Sequence, residues 1–96
     1  MIEKFYLVEF SKFAAKQSER LPKTIKEALF LWKESVERLG LPEVRKSPGY
    51  HDEPLKGQRK GQRSVRLSRA YRVIYSEFEE GPIIVLGVQE VNKHDY

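Results

Sequence analysis

Tyr71-Arg72-Val73-Ile74-Tyr75-Ser76-Glu77-Phe78 and Ile83-Ile84-Val85-Leu86-Gly87-Val88-Gln89-Glu90-Val91 flank the turn Glu79-Glu80-Gly81-Pro82. Both runs are rich in β-branched and aromatic residues, and the Gly-Pro pair between them ends one strand before the next begins. The second run is so continuously apolar through Val88 that it belongs inside the sheet. Residues 62–67 form a third run of the same kind, so the chain closes with three consecutive strands.

Upstream, Phe5, Tyr6, Val8 and Phe10 precede Ser11, which reads as a first strand passing into a helix with Ser11 as N-cap. That short helix runs to about Arg20. Pro22 suits the first turn of a second helix, in which Ile25, Ala28, Leu29, Trp32, Val36 and Leu39 recur at spacings of three and four until Gly40 supplies a stop. Phe30 and Leu31 lie off this stripe and are expected to widen it against the first helix or to cover a partner site. Residues 41–61 hold Pro42, Pro48, Gly49, Pro54, Gly57 and Gly61, a density that excludes a regular element of any length. A loop of this size in so small a domain is functional or disordered. The order β-α-α-β-β-β predicts one α+β domain over residues 1–96, with two helices on one face of a mostly antiparallel four-stranded sheet.

The 96 residues suffice for one modest core and not for two. There is no cysteine, so neither a disulfide framework nor a thiolate site is available. No apolar run approaches the ~18 residues of a spanning helix, and Glu3 and Glu9 interrupt the first ten residues where a secretion signal would be apolar. The expectation is a cytoplasmic protein with no membrane partner. The net charge of +4 is unevenly distributed: residues 45–72 carry nine cations against Asp52 and Glu53, a balance of +7, while the remainder balances to −3. Concentrated positive charge favours a polyanionic partner such as nucleic acid.

A three-residue loop at Ser68-Arg69-Ala70 pairs Val65 with Val73 and Leu67 with Tyr71 on one face, and sets Arg66 opposite Arg72 on the other. Like charges directly opposite destabilise a sheet unless an anion lies between them, which points to a phosphate site. A slip of one residue on one strand would separate the pair. The alternative is that one arginine bonds a local carboxylate such as Glu53 or Glu90.

Two helices followed by Glu53-Pro54-Leu55-Lys56-Gly57, Gly61, Ser64, Arg66, Tyr71-Arg72-Val73-Ile74-Tyr75 and a tail of His94-Asp95-Tyr96 resemble toxins of the RelE/ParE superfamily, from type II toxin-antitoxin systems. By site, the resemblance is closest to the YoeB-type branch of ribosome-dependent messenger RNA endonucleases. The topology is similar along nearly the whole chain, while the motif matches lie within residues 53–96. The resemblance implies Glu53 as general base, Arg72 as the arginine that stabilises the scissile phosphate, and His94 and Tyr96 as the terminal His and Tyr. In such chemistry a carboxylate takes the proton of an RNA 2′-hydroxyl, whose oxygen attacks the adjacent phosphorus, while fixed cations offset the charge developing on the phosphoryl oxygens. His94 would protonate the departing 5′-oxygen. The first step uses neither external water nor a metal, and leaves a 2′,3′-cyclic phosphate or its opened 3′-phosphate. The matching branch has the His and Tyr adjacent, whereas Asp95 separates them here. Residues two apart in an extended tail face the same way. Tyr96 is alternatively a base-stacking residue, as are Tyr50, Tyr71 and Tyr75, of which the last two read as core.

Lys46, Lys56, Arg59, Lys60, Arg63 and Arg66 are the expected contacts to the ribosome or transcript backbone. No cofactor is expected, because no strand leads into Gly57 and Gly61 and no helix leads out, as a nucleotide-binding glycine loop requires. His51, Asp52, Glu53 and His94 are ligand types, but three adjacent loop residues seldom complete a metal shell. Glu53 also reads as a surface carboxylate balancing Lys56 or Arg59, and Asp52 replaces it if the alignment slips by one. Two other functions fit the same fold: a ParE-like non-catalytic inhibitor of DNA gyrase, and an inactive nucleic-acid-binding module. A toxin implies a cognate antitoxin with an acidic or flexible segment that folds on contact.

Overall fold

The computed structural model describes residues 4–93. Strand β1 (Phe5–Phe10) ends at Ser11, whose hydroxyl accepts the Ala14 N–H at 3.0 Å and so caps α1 (Lys12–Glu19). Pro22 precedes α2 (Lys23–Leu39), which buries Ile25, Leu29, Trp32 and Val36 along one stripe. Gly40 closes α2 at φ 87°, its N–H bonded to the Val36 carbonyl, and a Cβ there would lie 3.2 Å from the Tyr6 ring. Glycine alone meets both constraints without strain.

Two elements lie where the proline and glycine content argued against any. Helix α3 (Leu41–Arg45) carries Pro42 in its first turn, where a missing N–H costs nothing. Strand β2 is Glu53–Pro54, paired antiparallel with β3 (Arg63–Arg66) through Glu53↔Ser64 and Pro54↔Arg63. A proline is tolerated in an edge strand, and two residues are too few to show a period. With β4 (Tyr71–Glu80) and β5 (Ile83–Lys93), the sheet therefore has five strands, not four. Its order is β1-β5-β4-β3-β2, with β1 parallel to β5 and every other pair antiparallel. β5 lies between β1 and β4, inside the sheet as its apolar run requires.

The helices and one sheet face enclose the core, in which the Trp32 and Tyr75 rings pack with centroids 5.7 Å apart. Val65, Val73, Leu86 and Val88 line that face. Between Ile74 and Tyr75 the β4–β5 ladder slips by one residue, so the buried series Ile84, Leu86, Val88 resumes at Val91. The slip puts Glu90 opposite Ile74 and Asn92 opposite Arg72, on the face without helices. Phe30 and Leu31 stay exposed instead of widening the α2 stripe, because α1 packs on β5 and leaves an open groove between Phe30 and Ser18. Among the described residues no helix is long and apolar enough to cross a membrane.

The outer edge of β1 is covered by a side chain. Glu37 of α2 accepts the Val8 N–H at 2.9 Å and the Lys33 ammonium at 2.9 Å. Burial opposes its ionisation, but these two donors outweigh burial and hold the carboxyl below the usual glutamate range. A carboxyl depressed in the folded state stabilises above its unfolded pKa and loses that contribution as pH falls through its folded value. Glu37→Ala is therefore expected to cost ~1 kcal/mol at neutral pH. Thermal unfolding should show this deficit shrinking as the pH is lowered through the carboxylate range.

Candidate active site

The face of the sheet opposite the helices carries a cleft of about 100 Å³ lined by His51, Glu53, Ser64, Arg66, Ser68, Arg69, Tyr71 and Arg72. Its floor is the β3–β4 hairpin, in which Val65 pairs with Val73 and Arg66 with Arg72. The Leu67 N–H reaches the Tyr71 carbonyl at 2.9 Å, and the Ser68 hydroxyl accepts the N–H groups of Ala70 and Tyr71, each at 3.2 Å. Because the Leu67 N–H donates to the carbonyl of Tyr71 directly opposite, Arg66 and Arg72 form the neighbouring non-hydrogen-bonded pair, whose Cα atoms lie closer. Among the described residues neither arginine has an ion-pair partner, and the buried Nε of Arg72 has no hydrogen-bond partner. The pairing of Glu53 with Ser64, and of Ser64 with Ile74, puts Glu53 on the same face as the two arginines. One carboxylate, Glu53, thus shares the cleft with Arg69 and with the cross-strand pair Arg66 and Arg72.

His51 and Glu53 form one wall of the cleft, and the buried group between them ties it down. The Asp52 carboxylate is 2% exposed. It accepts the Arg63 Nε–H at 2.7 Å and the Tyr75 hydroxyl at 2.6 Å, with the Arg45 Nε 3.5 Å away. Arg45 also donates to the Tyr75 hydroxyl at 3.1 Å and pairs with Glu77. Burial, reinforced by the bond to Asp52, pushes the Tyr75 hydroxyl above the ordinary phenol range. Asp52 is thus engaged on the helix side of the sheet, while its neighbour Glu53 lines the cleft. On the other side of Asp52, His51 ends the 3-10 turn Pro48–Tyr50 in the left-handed region at φ 45°.

This arrangement of helices and strands recurs in solved structures. The chain is similar to the RelBE2 toxin-antitoxin complex from Mycobacterium tuberculosis, at 23% identity over 94% of this chain and 99% of that one, with TM-score 0.67. It is similar to YafQ from E. coli strain BL21(DE3), at 19% identity over 91% of each chain, with TM-score 0.71. A YoeB/ParE toxin from Agrobacterium tumefaciens matches at 19% identity over 93% of this chain and 99% of that one, with TM-score 0.67. The chain has the RelE/ParE-like toxin fold. No family model matches the sequence, and no curated protein matches it significantly.

On this toxin fold the residues singled out from sequence are divided. Glu53, Arg66 and Arg72 meet in the cleft. His94 and Tyr96 lie outside the described residues, but β5 continues past Val91 to Lys93, opposite Tyr71 at the lip of the cleft. Lys56 and Lys60 are exposed. Three of the other expected contacts already hold carboxylates: Lys46 pairs with Glu43 at 3.0 Å, Arg59 with Glu90 at 2.7 Å, and Arg63 with Asp52. Tyr75 is core, whereas Tyr71 packs against the core and also lines the cleft. Ser64, Ser68, Arg69 and His51 enter the cleft without a role assigned from sequence as site residues; Ser64 carried a signal as part of the motif string and His51 as an imidazole two residues before Glu53.

Removing one partner of a buried ion pair leaves the others uncompensated. Asp52→Asn should therefore destabilise the fold by ~3 kcal/mol or more, lowering the thermal midpoint by more than ~10 °C. Glu53→Gln, an exposed change one residue away, should stay within ~0.5 kcal/mol of the parent in the same measurement.

Proposed function

We propose that this chain is the toxin of a type II toxin-antitoxin pair and acts as a metal-independent endoribonuclease, cutting messenger RNA held in the ribosomal decoding site. The observation that carries the reading is the pair Arg66 and Arg72, facing each other with no carboxylate paired to either among the described residues, beside the carboxylate of Glu53. A scissile phosphate between the guanidinium groups would supply the missing counter-charge and a bond for the Arg72 Nε. Glu53 then takes the 2′-hydroxyl proton, and the 2′-oxygen attacks phosphorus in line with the departing 5′-oxygen. The arginines offset the growing phosphoryl charge through contacts already in place. The departing oxygen takes a proton from an imidazole, for which the chain offers His94 in the tail and His51 in the cleft. Tyr96 would stack on a base of the transcript.

So small a cleft grips little RNA, so the ribosome aligns the substrate, and Lys56 and Lys60 with Arg66 contact its backbone or the transcript's. Exchange of Lys46 and Arg59 from their exposed carboxylates to phosphates would add to that binding, while Arg63 stays with the buried Asp52. The ribosome as partner makes the cytoplasm the site of action. Toxin-antitoxin complexes among the similar structures support a cognate antitoxin for this chain as well, with acidic groups to cover the basic cleft.

Induction of the free protein should halt translation, and mapping of messenger RNA ends should reveal cuts within translated regions. Arg72→Ala and Glu53→Gln should each fold normally and reduce cutting by ~10²-fold or more. Intact transcripts with blocked DNA replication would identify the gyrase-directed function instead, and normal cutting by a folded Arg72→Ala protein would remove that arginine from the mechanism.

A further inference from the structure

We infer that His51 is the general acid of the cleft, the group that protonates the departing 5′-oxygen; the inference rests on the endonuclease reading and adds a residue to it. Glu53 fills the role of base, and guanidinium groups do not release protons in proteins. Hydroxyl groups give theirs up only well above neutrality, which leaves serine and tyrosine as poor donors. An imidazole both gives and takes a proton near neutral pH, and His51 is the one imidazole among the described residues that line the cleft.

The backbone supplies an independent observation. Among the described residues His51 is the one non-glycine residue at positive φ. Asn or Gly would occupy that conformation more cheaply, and strained backbone of this kind gathers at functional sites where the surroundings over-determine it. Both neighbours of His51 do so here. On one side its N–H bonds the Pro48 carbonyl at 3.2 Å, closing the 3-10 turn. On the other, Asp52 is held by Arg63 and Tyr75 within the fold. The strain thus presents an exposed imidazole on the wall of a cleft that also holds Glu53, Arg66 and Arg72.

The step balances as follows. The bond from the 2′-oxygen to phosphorus forms and the bond from phosphorus to the 5′-oxygen breaks. The 2′-hydroxyl proton passes to the Glu53 carboxylate, and the His51 imidazolium gives its proton to the 5′-oxygen. A 2′,3′-cyclic phosphate, a 5′-hydroxyl, a neutral imidazole and a protonated Glu53 result, and solvent resets the two side chains.

A leaving group that needs no proton isolates this role. Ribosomes would be programmed with messenger RNA carrying either oxygen or a bridging 5′-sulfur at the mapped cut, and treated with the full-length protein. His51→Asn, which suits the left-handed backbone, should cut the oxygen linkage ~10²-fold or more slowly and regain most of the parental rate on the sulfur linkage. His51→Gln should behave alike, with thermal midpoints checking that both variants fold. Glu53→Gln should be slow on both linkages. Normal cutting by His51→Asn, an equal defect on both linkages, or sulfur rescue of His94→Gln in its place would each overturn the assignment. A wild-type protein that leaves both RNAs intact on the ribosome would overturn the endonuclease reading itself, and this assignment with it.

Discussion

The buried carboxylate of Asp52 is the constraint on which the rest of the structure depends. A charge removed from water must be met by partners or it destabilises the fold, and Asp52 finds them on β3 (Arg63), β4 (Tyr75) and the end of α3 (Arg45). Those elements are remote in sequence and share one anchor in space. The same anchor holds the stretch whose two flanking residues, His51 and Glu53, form one wall of the cleft, in a segment whose composition is that of a loop. Glu53 follows Asp52 directly, so holding one carboxylate on the helix side presents the next on the open face by the alternation of an extended chain.

Three features of this cleft work against stability. Two arginines oppose each other across neighbouring strands, the Nε of Arg72 is buried without a hydrogen bond among the described residues, and His51 sits in left-handed backbone. Elsewhere the local choices agree with the fold: Ser11 caps a helix, Gly40 ends one, and Glu37 covers the edge of β1. Local inconsistencies gathered in one place, within an otherwise consistent chain, are what a functional site produces and what packing alone does not call for. The ladder slip between β4 and β5 contributes to the same place, because it turns Glu90 and Asn92 toward the open face. Glu90 in turn holds Arg59 over that face, where a competing phosphate would find it.

The sequence alone determined whatever depends on near neighbours. The period of α2, the caps at Ser11 and Gly40, the turn before Ile83 and the Arg66–Arg72 register all rest on spacings of a few residues, where backbone geometry leaves little choice. The tertiary structure decided what depends on distant partners. Strand β2 is two residues that become a strand only because β3 lies beside them, and Phe30 and Leu31 stay exposed because α1 docks on β5. Composition assigned Lys46, Arg59 and Arg63 to an RNA or ribosome surface, yet each also has a carboxylate within reach, Glu43 nearby in sequence and Glu90 and Asp52 brought close by the fold. The place of His51 in the cleft likewise follows from Asp52 beside it, whose burial no local pattern reveals. A charge pattern read along the chain counts cations; which of them already hold a partner is settled by desolvation and distance, and these exist only in the folded molecule.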